Sequence, residues 1–169
     1  MPDFTFTTPR ILAKGDPVEG FDCGVEELDR YLGKYALQAQ AGDGARTYVT
    51  LYGDRIAGYY TLAYGAVEFE AAPGRMTRGL ARHPVPVMIL ARLAVDRHHA
   101  GQGLGAELLR DALLRTLAAA DIAGLRAVVV DAKGEQAKRF YKRYGFEPFP
   151  DSPFRLCLIL KDVRAMVAG

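Results

Sequence analysis

The sequence predicts one mixed α/β (α+β) domain whose sheet is antiparallel in its N-terminal part and parallel later. Two observations carry this. Residues 46 to 70, "RTYVTLYGDRIAGYYTLAYGAVEFE", form two β-rich runs joined at Gly53 and Asp54, the pattern of an antiparallel hairpin. From Val87 the rhythm changes to strand, glycine loop, helix, strand and helix, and a strand-helix-strand unit is usually a right-handed crossover between parallel strands. A chain of 169 residues, half of them apolar, is large enough to bury a core without disulfide or metal support.

Taken in order, the elements begin with a short β-like segment and then "FDCGVEELDRYLGKYALQAQ", where Val25, Leu28, Tyr31, Leu32 and Tyr35 recur at helical spacing. Asp22 is the expected N-cap, with Glu26 and Glu27 in an early turn and a possible division near Gly33. The hairpin follows, then a Pro/Gly/Arg-rich connection over residues 71 to 86. "VMILARLAV" reads as a strand, Gly103 to about Ala120 as a helix, "LRAVVVDA" as a strand, Gly134 to about Tyr144 as a helix, and "FRLCLIL" as a last strand. On the middle helix Leu104, Leu108, Ala112 and Leu117 keep one face. No repeat or second domain boundary is visible, so one domain over residues 1 to 169 is expected.

Composition restricts function without choosing it. Net charge is only +2, but residues 74 to 99 carry +4 and residues 126 to 143 another +4, leaving the rest of the chain at −6. Such asymmetry suits a phosphate-rich partner, and it also suits a merely solvated face. No apolar run is long enough to span a membrane, and the N-terminus lacks the basic-then-apolar order of a secretory signal, so a cytoplasmic protein without a membrane partner is expected. Cys23 and Cys157 lie far apart with no companions at metal-ligand spacing, which points to reduced structural thiols and no metal.

The segment "DRHHAGQGLGAELL" decides more. Gly101, Gly103 and Ala106 satisfy G-x-G-x-x-G/A, and Asp131 ends the following strand where a dinucleotide fold would place its ribose-binding acid. Against that reading, "DRHHA" separates Val95 from Gly101, and too few residues follow for the remaining parallel strands. The alternative is a pyrophosphate held by backbone N–H groups at a helix start, where peptide dipoles favour an anion.

At this point the chain resembles the GNAT acyltransferases, whose acetyl-coenzyme A loop follows Q/R-x-x-G-x-G/A. "AGQGLG", Ala100 to Gly105, matches except that Ala100 replaces the usual Gln or Arg, which removes one side-chain contact and leaves the backbone ones. The resemblance implies a GNAT fold with splayed parallel strands flanked by helices. It also implies coenzyme contacts from the strand end Leu93, Ala94 and Val95, from the loop Ala100, Gly101, Gln102, Gly103, Leu104, Gly105 and Ala106, and from Asp131, Ala137 and Phe140. A second matching stretch is "AKRFYKRYGFEP", residues 137 to 148. Phe140 and Phe146 suit helix packing, with Gly145 as C-cap. For Tyr141 the resemblance implies a hydroxyl near the coenzyme sulfur, able to protonate the departing thiolate.

"FDCGVEELDRYL", "ARTYVTLYGDRIAGYYTLAYGAVE" and "PVMILARLAVDRHHAGQGLGAELLRDAL" carry a narrower resemblance, over about Phe21 to Leu160, to the tRNA-acetylating GNAT toxins of bacterial toxin-antitoxin pairs. It implies acetylation of the α-amine of aminoacyl-tRNA, which blocks translation, together with a cognate ribbon-helix-helix antitoxin and a homodimer. An esterified α-amine is weakly basic, so a strong general base is unnecessary. This fits a motif with no carboxylate or histidine base; His98 and His99 read as loop residues, with a base role left open. Arg75, Arg78, Arg82 and Arg92, with Arg30 and Lys34 on the first helix, are the candidate tRNA contacts. Two further readings remain: a GNAT enzyme acting on a small amine or a protein N-terminus, and a coenzyme- or RNA-binding module without catalysis.

Overall fold

The computed structural model describes residues 5–168, which divide into two compact units. One comprises the chain up to Ala63 together with Ala91–Ala112, and the other Tyr64–Leu90 with the residues from Leu113 onward.

In the first unit β1 (Arg10–Ile11) pairs antiparallel with β2 (Arg46–Tyr52), and β2 pairs antiparallel with β3 (Arg55–Val67). The hairpin closes where the sequence places it: Tyr52 faces Arg55, and Gly53 takes φ +63° at the first turn position, which a side chain rarely adopts. The first helical segment is continuous but not uniform. α1 (Glu26–Arg30) and α2 (Ala36–Ala41) are joined by a π-helical turn over Tyr31–Tyr35, in which the Ala36 N–H reaches back to the Tyr31 carbonyl. The division expected near Gly33 is therefore a widened turn and no break.

Asp22 is not the N-cap. Val25 holds that position, and Asp22 accepts the Gly24 N–H at 3.0 Å in a turn before the helix. The helix start is instead tied by Asp29, whose carboxylate accepts the Cys23 N–H at 2.9 Å. Leu28, Tyr31, Leu32 and Ala36 bury one face with Leu12, Phe21, Val49, Ile56 and Tyr59. This apolar burial is the main stabilising contribution, and the Tyr59 hydroxyl is satisfied there by donating to the Leu28 carbonyl at 2.7 Å.

In the second unit β4 (Val85–Val95) runs parallel to β5 (Ala127–Asp131), from Val87↔Ala127 to Leu90↔Val130. This is the parallel pair that the crossover rule predicts. α5 (Glu135–Arg143) follows β5, and the chain then enters the outer strand β6 (Glu147–Phe149). It turns straight back into β7 (Ser152–Ile159), which slots between β6 and β5 and runs antiparallel to both. The last strand is followed by a helix that the sequence reading does not include, α6 (Leu160–Ala168). A short α3 (Gly74–Thr77) lies in the Pro/Gly/Arg-rich connection, with its Met76 fully buried among Val67, Val85, Val87, Ala127 and Ile159.

β3, β4 and α4 (Leu104–Ala120) continue from one unit into the other, and the strand order is β1-β2-β3-β4-β5-β7-β6. On α4 the buried stripe is Leu104, Leu108, Leu109, Ala112, Leu113 and Thr116. Thr116 takes the place expected of Leu117, which is only half-buried. Among the described residues no helix is long and apolar enough to cross a membrane.

Candidate active site

The first unit carries the strand end and the glycine loop. β4 extends to Val95, whereas its register with β5 ends at Leu90↔Val130. The Asp96 N–H donates to the Ala57 carbonyl of β3 at 2.8 Å. In extended backbone successive residues point to opposite edges, so Ala94 shares that edge while Leu93 and Val95 direct their N–H and C=O groups away from β3. Of the three candidate strand residues, these two have backbone groups free to meet a ligand.

A turn over Arg97–His99 then leads to the loop. Asp96, 3% exposed, fixes that turn: it accepts the N–H of His98 at 2.9 Å, the His98 Nδ1 at 2.7 Å and the N–H of Asp22 at 3.0 Å. Burial alone would raise the Asp96 carboxyl, but the donors from His98 and Asp22 outweigh it and hold the pKa below the ordinary value. Arg97 completes the tie by donating its N–H to the Asp22 carbonyl and its Nε to the Asp22 carboxylate, both at 2.9 Å. His99 packs against the rings of Phe6 and Tyr52. Both histidines therefore have structural work at the base of the loop.

Within the loop Gly101 and Gly103 take φ +76° and +81°, which explains glycine at both positions. The first amide beyond them to find an acceptor is that of Glu107, which donates to the Gly103 carbonyl at 3.2 Å. The N–H groups from Gly101 to Ala106 have no acceptor among the described residues. Gly101, Gln102 and Gly103 are exposed, and Leu104 to Ala106 form the first turn of a 17-residue helix, so a run of amide donors and a positive dipole end coincide. That is what a pyrophosphate requires. Ala100, exposed and carrying only a methyl group, contributes no polar side chain.

Close packing sets the helix start. A β-carbon on Gly58 would lie 2.8 Å from Leu108 Cδ1, 3.1 Å from the Ala94 carbonyl oxygen and 3.3 Å from Leu104 Cδ2. Glycine on β3 thus lets the first turns of α4 lie against the sheet. The Tyr60 hydroxyl, bonded to the Asp111 carboxylate, ties α4 to β3 a turn further on.

The second unit carries Asp131, Ala137, Phe140 and Tyr141. Asp131, at the end of β5, is exposed and ion-paired with Arg155 at 3.1 Å. Ala137 and Phe140 are half-buried on α5. Tyr141 is 5% exposed and packs edge-on between the rings of Phe140 and Phe146. Burial pushes its phenol well above the ordinary value, favouring the protonated form. Its hydroxyl has no hydrogen-bond partner among the described residues, yet no side-chain nitrogen or oxygen among them is both unpartnered and fully buried. The hydroxyl is therefore the part of Tyr141 that keeps contact with solvent.

The basic candidates separate into bound and free charges. Arg75 is paired with Asp162 at 2.9 Å and Glu147 at 3.5 Å, Arg82 with Glu70 at 3.0 Å, and Arg30 with Glu26 at 2.6 Å. Arg92 stacks over the Tyr31 ring at 3.5 Å. Arg78 and Lys34 are exposed, with no side-chain partner among the described residues. Counting charges along the sequence could not separate these cases, because the carboxylates that offset Arg75 lie on β6 and α6. The thiols are inert: burial pushes both Cys23 and Cys157 to about 12. Sequence reasoning missed Asp96 and Gly58, whose roles depend on tertiary neighbours.

Comparison with known proteins agrees with this geometry. Residues 43–148 match the acetyltransferase (GNAT) domain model. The chain is 44% identical, over 96% of its length and 97% of the relative's, to a tRNA-acetylating toxin of Mycobacterium tuberculosis. It is similar to the structure of AtaT complexed with acetyl-methionyl-tRNAfMet, with TM-score 0.87 and 28% identity, covering 98% of this chain and 99% of that one. It is also similar to a tyrosine-to-phenylalanine variant of AtaT bound to the C-terminus of the antitoxin AtaR and acetyl-CoA, with TM-score 0.82 and 28% identity over 99% of this chain and 100% of that one. With the domain model spanning the hairpin, the amide-lined loop and the Tyr141 helix together, this chain belongs to the GNAT acetyltransferase family and is an N-acetyltransferase.

Proposed function

We propose that the protein transfers the acetyl group of acetyl-CoA to the α-amine of an amino acid esterified to tRNA, acting as a toxin that blocks translation. The observation that carries the coenzyme assignment is the run of unpartnered amides from Gly101 to Ala106 at the start of α4. Its donors and helix dipole suit a pyrophosphate, and the free backbone edge of Leu93 and Val95 suits the amide-bearing arm of coenzyme A. The likeness to a tRNA-acetylating toxin and to AtaT bound to acetyl-methionyl-tRNAfMet supports the choice of acceptor.

The chemistry divides as follows. The acceptor nitrogen forms a bond to the thioester carbon, the carbon–sulfur bond breaks, the sulfur gains a proton and the nitrogen loses one. Tyr141 supplies the proton to sulfur from its solvent-facing hydroxyl, and burial of its ring keeps that hydroxyl protonated. The nitrogen needs no dedicated base, because an esterified α-amine is substantially neutral near pH 7 and can release its proton to water. The Asp96 turn holds the loop, and Asp131, Ala137 and Phe140 complete the coenzyme contacts. Arg30, Lys34, Arg75, Arg78, Arg82 and Arg92 are the proposed tRNA-facing charges. On this reading the protein works in the cytoplasm as a homodimer and has a ribbon-helix-helix antitoxin, as AtaT has AtaR as its antitoxin.

The test is transfer of labelled acetyl from acetyl-CoA to a pool of charged tRNA, with uncharged tRNA, free amino acids and Tyr141→Phe as controls. Label on charged tRNA alone, greatly reduced in the variant, supports acceptor and acid together. Label on free amines with none on tRNA overturns the acceptor assignment.

A further inference from the structure

The second unit contains a cavity of about 180 Å³ that the coenzyme and Tyr141 assignments leave unused. Its lining includes Arg75, Arg78, Arg126, Lys161 and Arg164, contributed by α3, the entrance to β5 and the first turns of α6. Arg126 is locked in place, with Nε donating to the Met76 carbonyl at 2.8 Å and a terminal nitrogen to the Arg78 carbonyl at 2.9 Å. Arg75 is held by Asp162. Arg78, Lys161 and Arg164 are exposed and have no side-chain partner among the described residues, so the cavity faces three charges that nothing in the protein offsets. The N-terminal end of α6 opens at the same place, adding the positive end of a nine-residue helix.

The cavity is separate from the coenzyme end of the sheet. It lies at the entrance to β5, whereas the β4–β5 register ends at Leu90↔Val130, about 13 Å further along the strand. Its lining contains no aromatic ring on which a base could stack. It is built for a charged group alone, without the nucleoside attached to it.

We propose that this cavity binds a single phosphate group, with Arg78, Lys161 and Arg164 as its ligands and Arg126 as the residue that shapes it. The source is a backbone phosphate of the tRNA, which rests on the acceptor proposed above; the same ligands would take inorganic phosphate.

The test uses the full chain carrying Lys161→Glu and Arg164→Glu. Both positions are exposed on α6, and a glutamate in the first turn of a helix is favourable, so the fold should be kept. Binding of uncharged tRNA is measured across a salt series, with acetyl-CoA binding as a control for folding. The proposal expects affinity to fall at least tenfold and the slope of log K against log salt to shrink by about 2, one for each phosphate-facing cation lost, with acetyl-CoA binding unchanged. Unchanged affinity and slope overturn the tRNA assignment. In a second arm inorganic phosphate is titrated into isotopically labelled protein. Saturating shifts at the Arg126, Lys161 and Arg164 amides, lost in the variant, support the phosphate site, and their absence together with an unchanged tRNA slope overturns it. If the unaltered protein retains no tRNA at all, the proposed acceptor fails and the phosphate titration alone decides the cavity.

Discussion

The N–H of Asp22 donates to the carboxylate of Asp96 at 3.0 Å across 74 residues of sequence, joining the turn before the first helix to the turn that opens the coenzyme loop. One oxygen of Asp96 meets Asp22 and the other meets His98, so the carboxylate is surrounded by donors and almost inaccessible to water. Asp96→Asn places an amide donor against one of these donors. The expected loss is about 1–3 kcal/mol, the usual effect of losing a hydrogen bond to a buried charged group, measured by denaturant unfolding at pH 7.

The same carboxylate sets an acid dependence. Its pKa is depressed in the folded protein, so its contribution is fully present above the ordinary carboxylate pKa near 3.8 and is lost as pH falls through the folded value. Unfolding measured between pH 7 and pH 3 should show the wild-type advantage over Asp96→Asn shrinking below pH 4. An advantage that stays constant over that range contradicts the role given to the charge.

Much of the fold was legible because local patterns carry it. Alternation in β2 and β3, the glycine at the hairpin turn and the helix-period stripe of α4 report the element in which they sit. β7 was legible as a strand, but its direction was not: that depends on the chain turning back through β6, a three-residue strand too short to have a period. α6 was hidden for a related reason, since Leu160 ends the apolar run of β7 and also begins the helix. In the site, the glycines declare themselves because their φ values demand them. Asp96, Gly58 and the cavity at Arg126 act through residues far away in sequence, and no local pattern marks them.

Gly58→Ala tests the packing under the loop. The added methyl meets the Ala94 carbonyl at 3.1 Å, and a backbone atom cannot move aside as the Leu108 side chain can. Destabilisation of about 1–3 kcal/mol is expected from overpacking. Because Leu104 and Leu108 are both displaced, the amides at the head of α4 should shift as well. The KM for acetyl-CoA should therefore rise more than kcat falls, in steady-state kinetics at saturating acceptor.

Gly103→Ala separates backbone conformation from space. Nothing lies within 4 Å of a β-carbon built there, so no clash is introduced, but φ +81° is costly for alanine. The loop should relax away from the conformation that presents its amides. Acetyl-CoA affinity, measured by calorimetry, should drop about tenfold while melting temperature changes little. A variant with unchanged affinity would show that the Gly103 conformation is not needed for binding.

Tyr141 supplies the last prediction, in which pH and mutation must agree. Burial raises its phenol above the ordinary value of 10, so it remains a proton donor throughout the neutral and mildly alkaline range. The acceptor α-amine must be neutral to attack, and esterification lowers its pKa below the reference of about 7.7 to 8.0. The kcat/KM profile should therefore rise with pH below about 8, with the pKa of the acceptor amine, and stay level to at least pH 9.5, where an unshifted tyrosine would already be losing its proton. Tyr141→Phe should keep acetyl-CoA affinity within about twofold and lower kcat at least about tenfold, because the departing thiolate must then take its proton from water. The rising limb should survive in the variant, since it belongs to the amine. A wild-type profile that falls between pH 8 and 9 would assign the acid to a group other than Tyr141.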